Sequence, residues 1–214
     1  MKLDSPTGLL LEPGDGTPSL NNLEEINDFL KVIGAKIWRL DLESEPARIR
    51  DLLQQPDLSM QEMDELKNHF LLSRNQLLKL LAEAGRQPKV PGGGELVTHV
   101  TNHNYDYPQL YLLKEGVDYS RFDQFHINIS DDEISVDEFV QMLHGGSFTV
   151  YQKISKKQTL KLTINCPNNK TGWLMTYDGG RPHIGSFSGA RLGTKAVVQV
   201  IGPAHWTMKY NDSW

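Results

Sequence analysis

The prevailing spacing of apolar residues in this chain changes at Pro91-Gly-Gly-Gly94. Upstream, apolar residues recur with helical spacing, as in Met60, Met63, Leu66 and Phe70. Downstream they alternate, as strands with one buried face do. Three successive glycines cost too much backbone entropy to sit inside an element, so the stretch reads as a boundary or hinge. It is not a phosphate loop, because no Lys-Ser/Thr follows the glycines. A chain with this switch is expected to be α+β: an irregular arm over residues 1–18, a mainly helical region over 19–90, and a β-rich domain over 95–214.

Cap chemistry supports the helical part. Asn22 precedes Leu23, Ile26, Phe29 and Leu30, which recur until Gly34. Pro46 opens a short helix with Ile49, Leu52 and Leu53 on one stripe. Ser59-Met-Gln-Glu62 and Ser73-Arg-Asn-Gln76 are capping boxes that begin two further helices. Between them Lys36 to Leu42 alternates as a short strand. In the arm, with its prolines and glycines, only Leu9-Leu10-Leu11 offers an anchor. The tight helix pair invites a helix-turn-helix reading, but Glu62, Asp64, Glu65 and Glu83 balance Lys67, Arg74, Lys79 and Arg86. No electrostatic footprint for DNA results, and a helical layer against a sheet, or a dimer contact, is the simpler expectation.

After residue 94, candidate strands cover 95–103, 110–113, 124–129, 147–153, 159–165, 172–177, 183–187, 195–201 and 205–210. One helix, 136–143 with Ser135 as cap and His144 at its C-terminus, interrupts them. So many short strands at this spacing predict a β-sandwich or β-barrel.

With 214 residues the chain can bury a substantial core, and its single cysteine, Cys166, excludes an internal disulfide framework. With no secretory leader pattern and no apolar run near the roughly 20 residues that cross a bilayer, a cytoplasmic protein is expected. The net charge of -5 argues against duplex nucleic acid as a partner. Charge is nonetheless uneven: residues 153–214 carry 9 basic and 2 acidic side chains, which leaves room for a small anionic ligand.

Two segments offer chemistry. In Thr98-His-Val-Thr-Asn-His-Asn-Tyr-Asp-Tyr-Pro108, an extended chain puts His99, Thr101 and His103 on one face with Tyr105. In a second strand Gln124, His126 and Asn128 alternate against Phe125, Ile127 and Ile129. Turned inward, these faces form a site in which His99, His103 and His126 hold a transition metal, since neutral imidazole suits such ions. Turned outward, they are solvated surface. The turn Tyr177-Asp-Gly-Gly-Arg-Pro-His183, followed by Arg191, gathers Arg181, His183 and Arg191 as candidate ligands for a carboxylate or phosphate. Gly185-Ser-Phe-Ser-Gly189 has Phe187 where a nucleophile elbow needs serine, and Cys166 reads as a small apolar residue.

A helical extension before a β-domain whose first strands carry spaced histidines and whose last strands are punctuated by glycine resembles the cupin superfamily of small β-barrels. The resemblance covers roughly residues 95–210 and lies in organisation. The usual cupin pair of histidines one residue apart, followed by a glutamate, is replaced by His99 and His103 three apart with Asp106 beyond. Pro182-His-Ile-Gly185 does not reproduce the second motif. The resemblance implies one divalent transition metal (iron, zinc, nickel or manganese), an anionic small molecule steered by Arg181 and Arg191, and Tyr105 or Tyr107 as proton donor in an oxygenase or isomerase. The alternative is a non-catalytic ligand-sensing or interaction protein that dimerises through its helical region.

Overall fold

The computed structural model describes residues 8–166 and 168–211. Its elements run β1 (Leu9–Glu12), α1 (Leu23–Leu30), β2 (Lys36–Asp41), α2 (Ala47–Gln54), α3 (Met60–His69) and α4 (Arg74–Glu83). Then follow β3 (Thr98–Val100), β4 (Tyr105–Tyr107), β5 (Gln109–Leu112), β6 (His126–Ile129), β7 (Asp137–His144) and β8 (Phe148–Ser155). The chain closes with β9 (Gln158–Ile164), β10 (Thr171–Asp178), β11 (His183–Ser186), β12 (Lys195–Ile201) and β13 (His205–Tyr210).

The strands form two sheets. One has eight strands in the order β1-β9-β8-β11-β6-β13-β3-β4, the other five in the order β2-β10-β7-β12-β5. They face each other as layers and are not joined by hydrogen bonds into one closed barrel. Leu162, Val150 and Trp206 from the first sheet and Val140, Met175 and Val198 from the second share the core between them. The outer face of the five-stranded sheet is covered by helices: Leu52, Leu53 and Leu66 pack with Leu143 and Val197, and Leu77 and Leu81 pack with Phe139 and Leu174.

Local chemistry explains the helix bounds. Asn22 accepts from the amides of Glu24 and Glu25 at the start of α1, and both capping boxes form, Ser59 with Glu62 and Ser73 with Gln76. The segment before residue 90 is more than helical, however. Leu9–Glu12, expected to be irregular, is the edge strand β1, paired antiparallel with β9, and β2 pairs with β10.

Two further expectations are corrected. The helix at 136–143 is the strand β7, hydrogen-bonded to β10 on one side and β12 on the other. Apolar residues occupy both its faces because one meets the helices and the other the interior, so its period of two is masked. The expected strand 95–103 shrinks to Thr98–Val100, because Asn102 leaves the ladder: its side chain both donates to and accepts from the backbone of Met208. The other strands after residue 105 lie within two residues of their expected ends.

Pro91–Gly93 forms a 3-10 turn fixed to its surroundings. The Arg74 guanidinium donates to the carbonyls of Gly92 and Gly94, and the Glu95 amide donates to Gly202. Gly94 has φ 72°, and a Cβ there would lie 2.1 Å from the Gly202 oxygen, so this approach of two backbones needs glycine. Among the described residues no helix is long and apolar enough to cross a membrane.

Candidate functional site

A cluster of polar side chains is set in the interior between the sheets. His126 and Asn128 on β6 and His183 on β11 project from the eight-stranded sheet, and Glu138 on β7 and Tyr177 on β10 face them from the other; all five line one cavity. The pairing of strands sets this up. His183 lies opposite His126, and Tyr177 opposite Glu138. Each is nearly fully buried, with His183 at 1% exposure and Glu138 at 5%.

Glu138 is the hub. One carboxylate oxygen accepts from Asn128 Nδ2 at 2.7 Å and lies 3.1 Å from His183 Nε2; the other accepts from the Tyr177 hydroxyl at 3.1 Å. The imidazoles are oriented from behind, His183 Nδ1 lying 2.8 Å from the Arg181 carbonyl and His126 Nδ1 2.9 Å from that of Gln124. Both rings therefore donate at Nδ1 and turn Nε2 to other use, the arrangement typical of histidines that serve as ligands. Their centroids are 4.4 Å apart.

Electrostatics separate the two histidines. Burial pushes the Glu138 carboxyl up, but the charge and hydrogen bond of His183 outweigh it and hold Glu138 below the usual carboxylate range. Burial opposes a charged His183, and the same Glu138 overcomes it and raises the imidazole above its ordinary value. His126 has no such partner, so burial and the neighbouring His183 charge lower it to about 3, and it stays neutral. Burial also keeps Tyr107, Tyr111 and Tyr177 well above the ordinary phenol value, so all three are protonated.

Several buried polar atoms lack partners. Asn128 Oδ1 has none, and neither amide atom of Gln152, which lies opposite His183 on β8, has one. Buried groups are nearly always satisfied, so a cluster of exceptions around a histidine pair marks a place built for something other than packing.

The cavity has a volume of about 30 Å³, room for a water or an ion. Its apolar walls include Phe122, Phe148 and Phe187.

The residues singled out from sequence are distributed as follows. His126, His183 and Tyr107 line the cavity. His99, on β3, binds Asp106 through Nδ1 at 2.7 Å and packs against His205. His103, in the turn after β3, lies 2.8 Å from the Tyr210 hydroxyl. The structure thus does not bring His99, His103 and His126 together. Tyr105 stacks beneath Arg121, Arg181 donates to the Lys153 carbonyl, and Arg191 is exposed. His144 ends a strand and caps no helix. Sequence reading did not single out Glu138, Tyr177 or Tyr111. Glu138 was hidden by the helical reading of its segment, whereas Asn128 already shared a predicted face with His126.

No protein-family model matches the sequence, and no curated protein matches it. The fold is mixed α+β and β-rich. Among solved structures the chain is similar to acireductone dioxygenase from Bacillus anthracis with cadmium ion in its active centre. The TM-score is 0.61 at 11% identity, over 95% of this chain and 99% of that one, a likeness of fold that extends through the helices as well as the sheets.

A metal can be tested against the residues themselves. By donor type they fit: two imidazoles fixed through Nδ1, a carboxylate, and an amide oxygen with no partner, all lining one small cavity. Their present arrangement is closed up, because Glu138 and His183 bond to each other, and among the described residues no three His, Cys, Asp or Glu side chains surround a common point.

Proposed function

We propose that this chain is a metal-dependent small-molecule enzyme whose centre is His126, Glu138 and His183, with Asn128 Oδ1 as a further oxygen donor. The observation that carries the reading is the five-residue polar cluster lining one buried cavity, with three of its members of metal-binding type and an orphaned oxygen among them. The metal, when bound, would supply Lewis acidity to a coordinated oxygen. His183 would hold the metal as neutral imidazole, without the proton it now shares with Glu138. Tyr177 keeps Glu138 oriented through its hydroxyl. Tyr107, bonded to the Tyr111 hydroxyl at 2.8 Å, holds a proton at the cavity wall and is the better placed of the two candidate proton donors. The phenylalanine walls surround the polar groups with apolar surface.

The alternative is a non-catalytic ligand-sensing or interaction protein that dimerises through its helical region, for which the apolar faces of α2, α3 and α4 leave less surface because they pack against the five-stranded sheet.

The test is elemental analysis of protein expressed in medium supplemented with iron, nickel, manganese and zinc. Close to one metal per chain is expected in wild type and in His99→Ala and His103→Ala, with loss in His126→Ala and Glu138→Gln. Trace metal in wild type, or full occupancy in both cavity variants, would end the proposal.

A further inference from the structure

One cation near this cavity is unmatched. Arg121 lies on the 3-10 turn Ser120–Phe122 between β5 and β6, and among the described residues it makes no ion pair. Its guanidinium carbon sits 4.4 Å from the Phe122 ring centroid, 5.3 Å from that of Tyr105 and 5.8 Å from that of Tyr119. Aromatic faces attract the charge but offer no acceptor for the N–H groups. Nε is buried without a partner, and the Tyr105 side chain is in hydrogen-bonding relation to the guanidinium. Asp118, an acid that feels the Arg121 charge, is exposed and uses its carboxylate on the Ser120 amide.

The place matters as much as the charge. Phe122, the next residue, lines the central cavity, as do Tyr107 and Tyr111, whose hydroxyls lie within the field of Arg121. On the other side of the turn a recess of about 170 Å³ is lined by Tyr119, Ser120 and Asp123, and Phe187 is a wall of both spaces. The turn bearing Arg121 therefore separates the site from the recess. The other arginines raised by the sequence are placed differently, Arg181 being tied to a backbone carbonyl and Arg191 exposed.

We infer that Arg121 recognises the carboxylate or phosphate group of a small anion held at its turn, between the recess and the tyrosine-lined end of the cavity. A planar fork with a desolvated, unpartnered N–H matches two oxygens of such a group, and the protonated Tyr105 and Tyr107 hydroxyls can add donors. The assignment rests on the cavity being a ligand site, as proposed above, but not on the metal.

The experiment measures binding of acetate, malonate and inorganic phosphate by thermal shift and titration calorimetry, against chloride at equal ionic strength, with wild type, Arg121→Lys and Arg121→Met. Metal content is determined separately on each protein. At least one of the three anions should stabilise wild type beyond chloride. Its Kd should rise about tenfold or more in Arg121→Met, and by less in Arg121→Lys, which keeps the charge and loses the fork. Absence of binding to wild type, or equal binding in Arg121→Met, overturns the inference. Should Arg121→Met fail to fold, Arg121→Lys decides, and unchanged affinity there overturns it. Metal-free wild type that still binds anions through Arg121 sinks the metal proposal alone; metal-loaded protein indifferent to Arg121 sinks this one alone.

Discussion

His126 and His183 are the same residue type, 4.4 Å apart, yet their surroundings drive them in opposite directions. In metal-free protein this has a consequence for stability. His126 binds a proton in the unfolded chain below its ordinary 6.5 but in the native state only near 3, so lowering the pH through that window favours unfolding. The slope is about 1.4 kcal/mol per pH unit where the two states differ by one proton. His183 has the reverse sign: raised in the native state, its contribution is complete below the unfolded value and is lost as pH rises through the native one. Together the pair favours a stability maximum near the ordinary histidine value. Urea denaturation from pH 4 to 8 should show a shallower acid limb in His126→Phe than in wild type. Parallel limbs would mean that His126 titrates normally in the folded protein.

At the scale of elements, helix α2 is held by a residue far away in sequence. Lys195, fully buried at the start of β12, donates to the carbonyls of Leu53 and Gln55 at the end of α2, at 3.0 and 2.5 Å, and to Gly193 at 3.1 Å. A cation at a helix C-terminus is favoured by the dipole, and these carbonyls have no intrahelical donors. Lys195→Met keeps the packing volume and strands three buried acceptors, so it should cost about 2 to 4 kcal/mol. Ser73→Ala, which removes an exposed cap, should cost about 1 kcal/mol. Denaturant midpoints compared at equal slope would decide it, and similar losses in the two variants would show that Lys195 is no more than a filler.

The whole molecule joins its early and late segments at several places. β1 and β2 extend opposite sheets, α4 continues into Arg86, which binds Asp137 at 2.8 Å and Thr176 at 2.5 Å, and Arg74 holds the glycine turn. Such cross-connection predicts one cooperative transition. Far-ultraviolet circular dichroism, which follows the helices, and fluorescence of the core tryptophans Trp173 and Trp206 should report the same midpoint. Separate midpoints would show that the helical segment folds as its own unit.

The sequence by itself determined what short-range chemistry decides. Ser59 and Ser73 mark their helices because a cap needs only residues three apart, and β12 and β13 fall where they were expected because the β-branched run of β12 and the Gly202-Pro203 turn between the two are local. It also placed His126 and Asn128 on one strand face, though not which way that face turns. Tertiary structure decided that, by setting β11 beside β6 so that His183 meets His126, and by inserting β7 at the centre of the opposite sheet so that Glu138 points at both. β7 misled because a strand buried on both faces carries no alternation to distinguish it from a buried helix. His99 and His103 misled because the strand they were expected to share ends at Val100: His99 on β3, near the sheet edge, binds Asp106, and His103 in the turn after it binds Tyr210. Which polar residues become a site depends on which strands become neighbours, and that is settled by burial of the whole apolar surface, a non-local quantity.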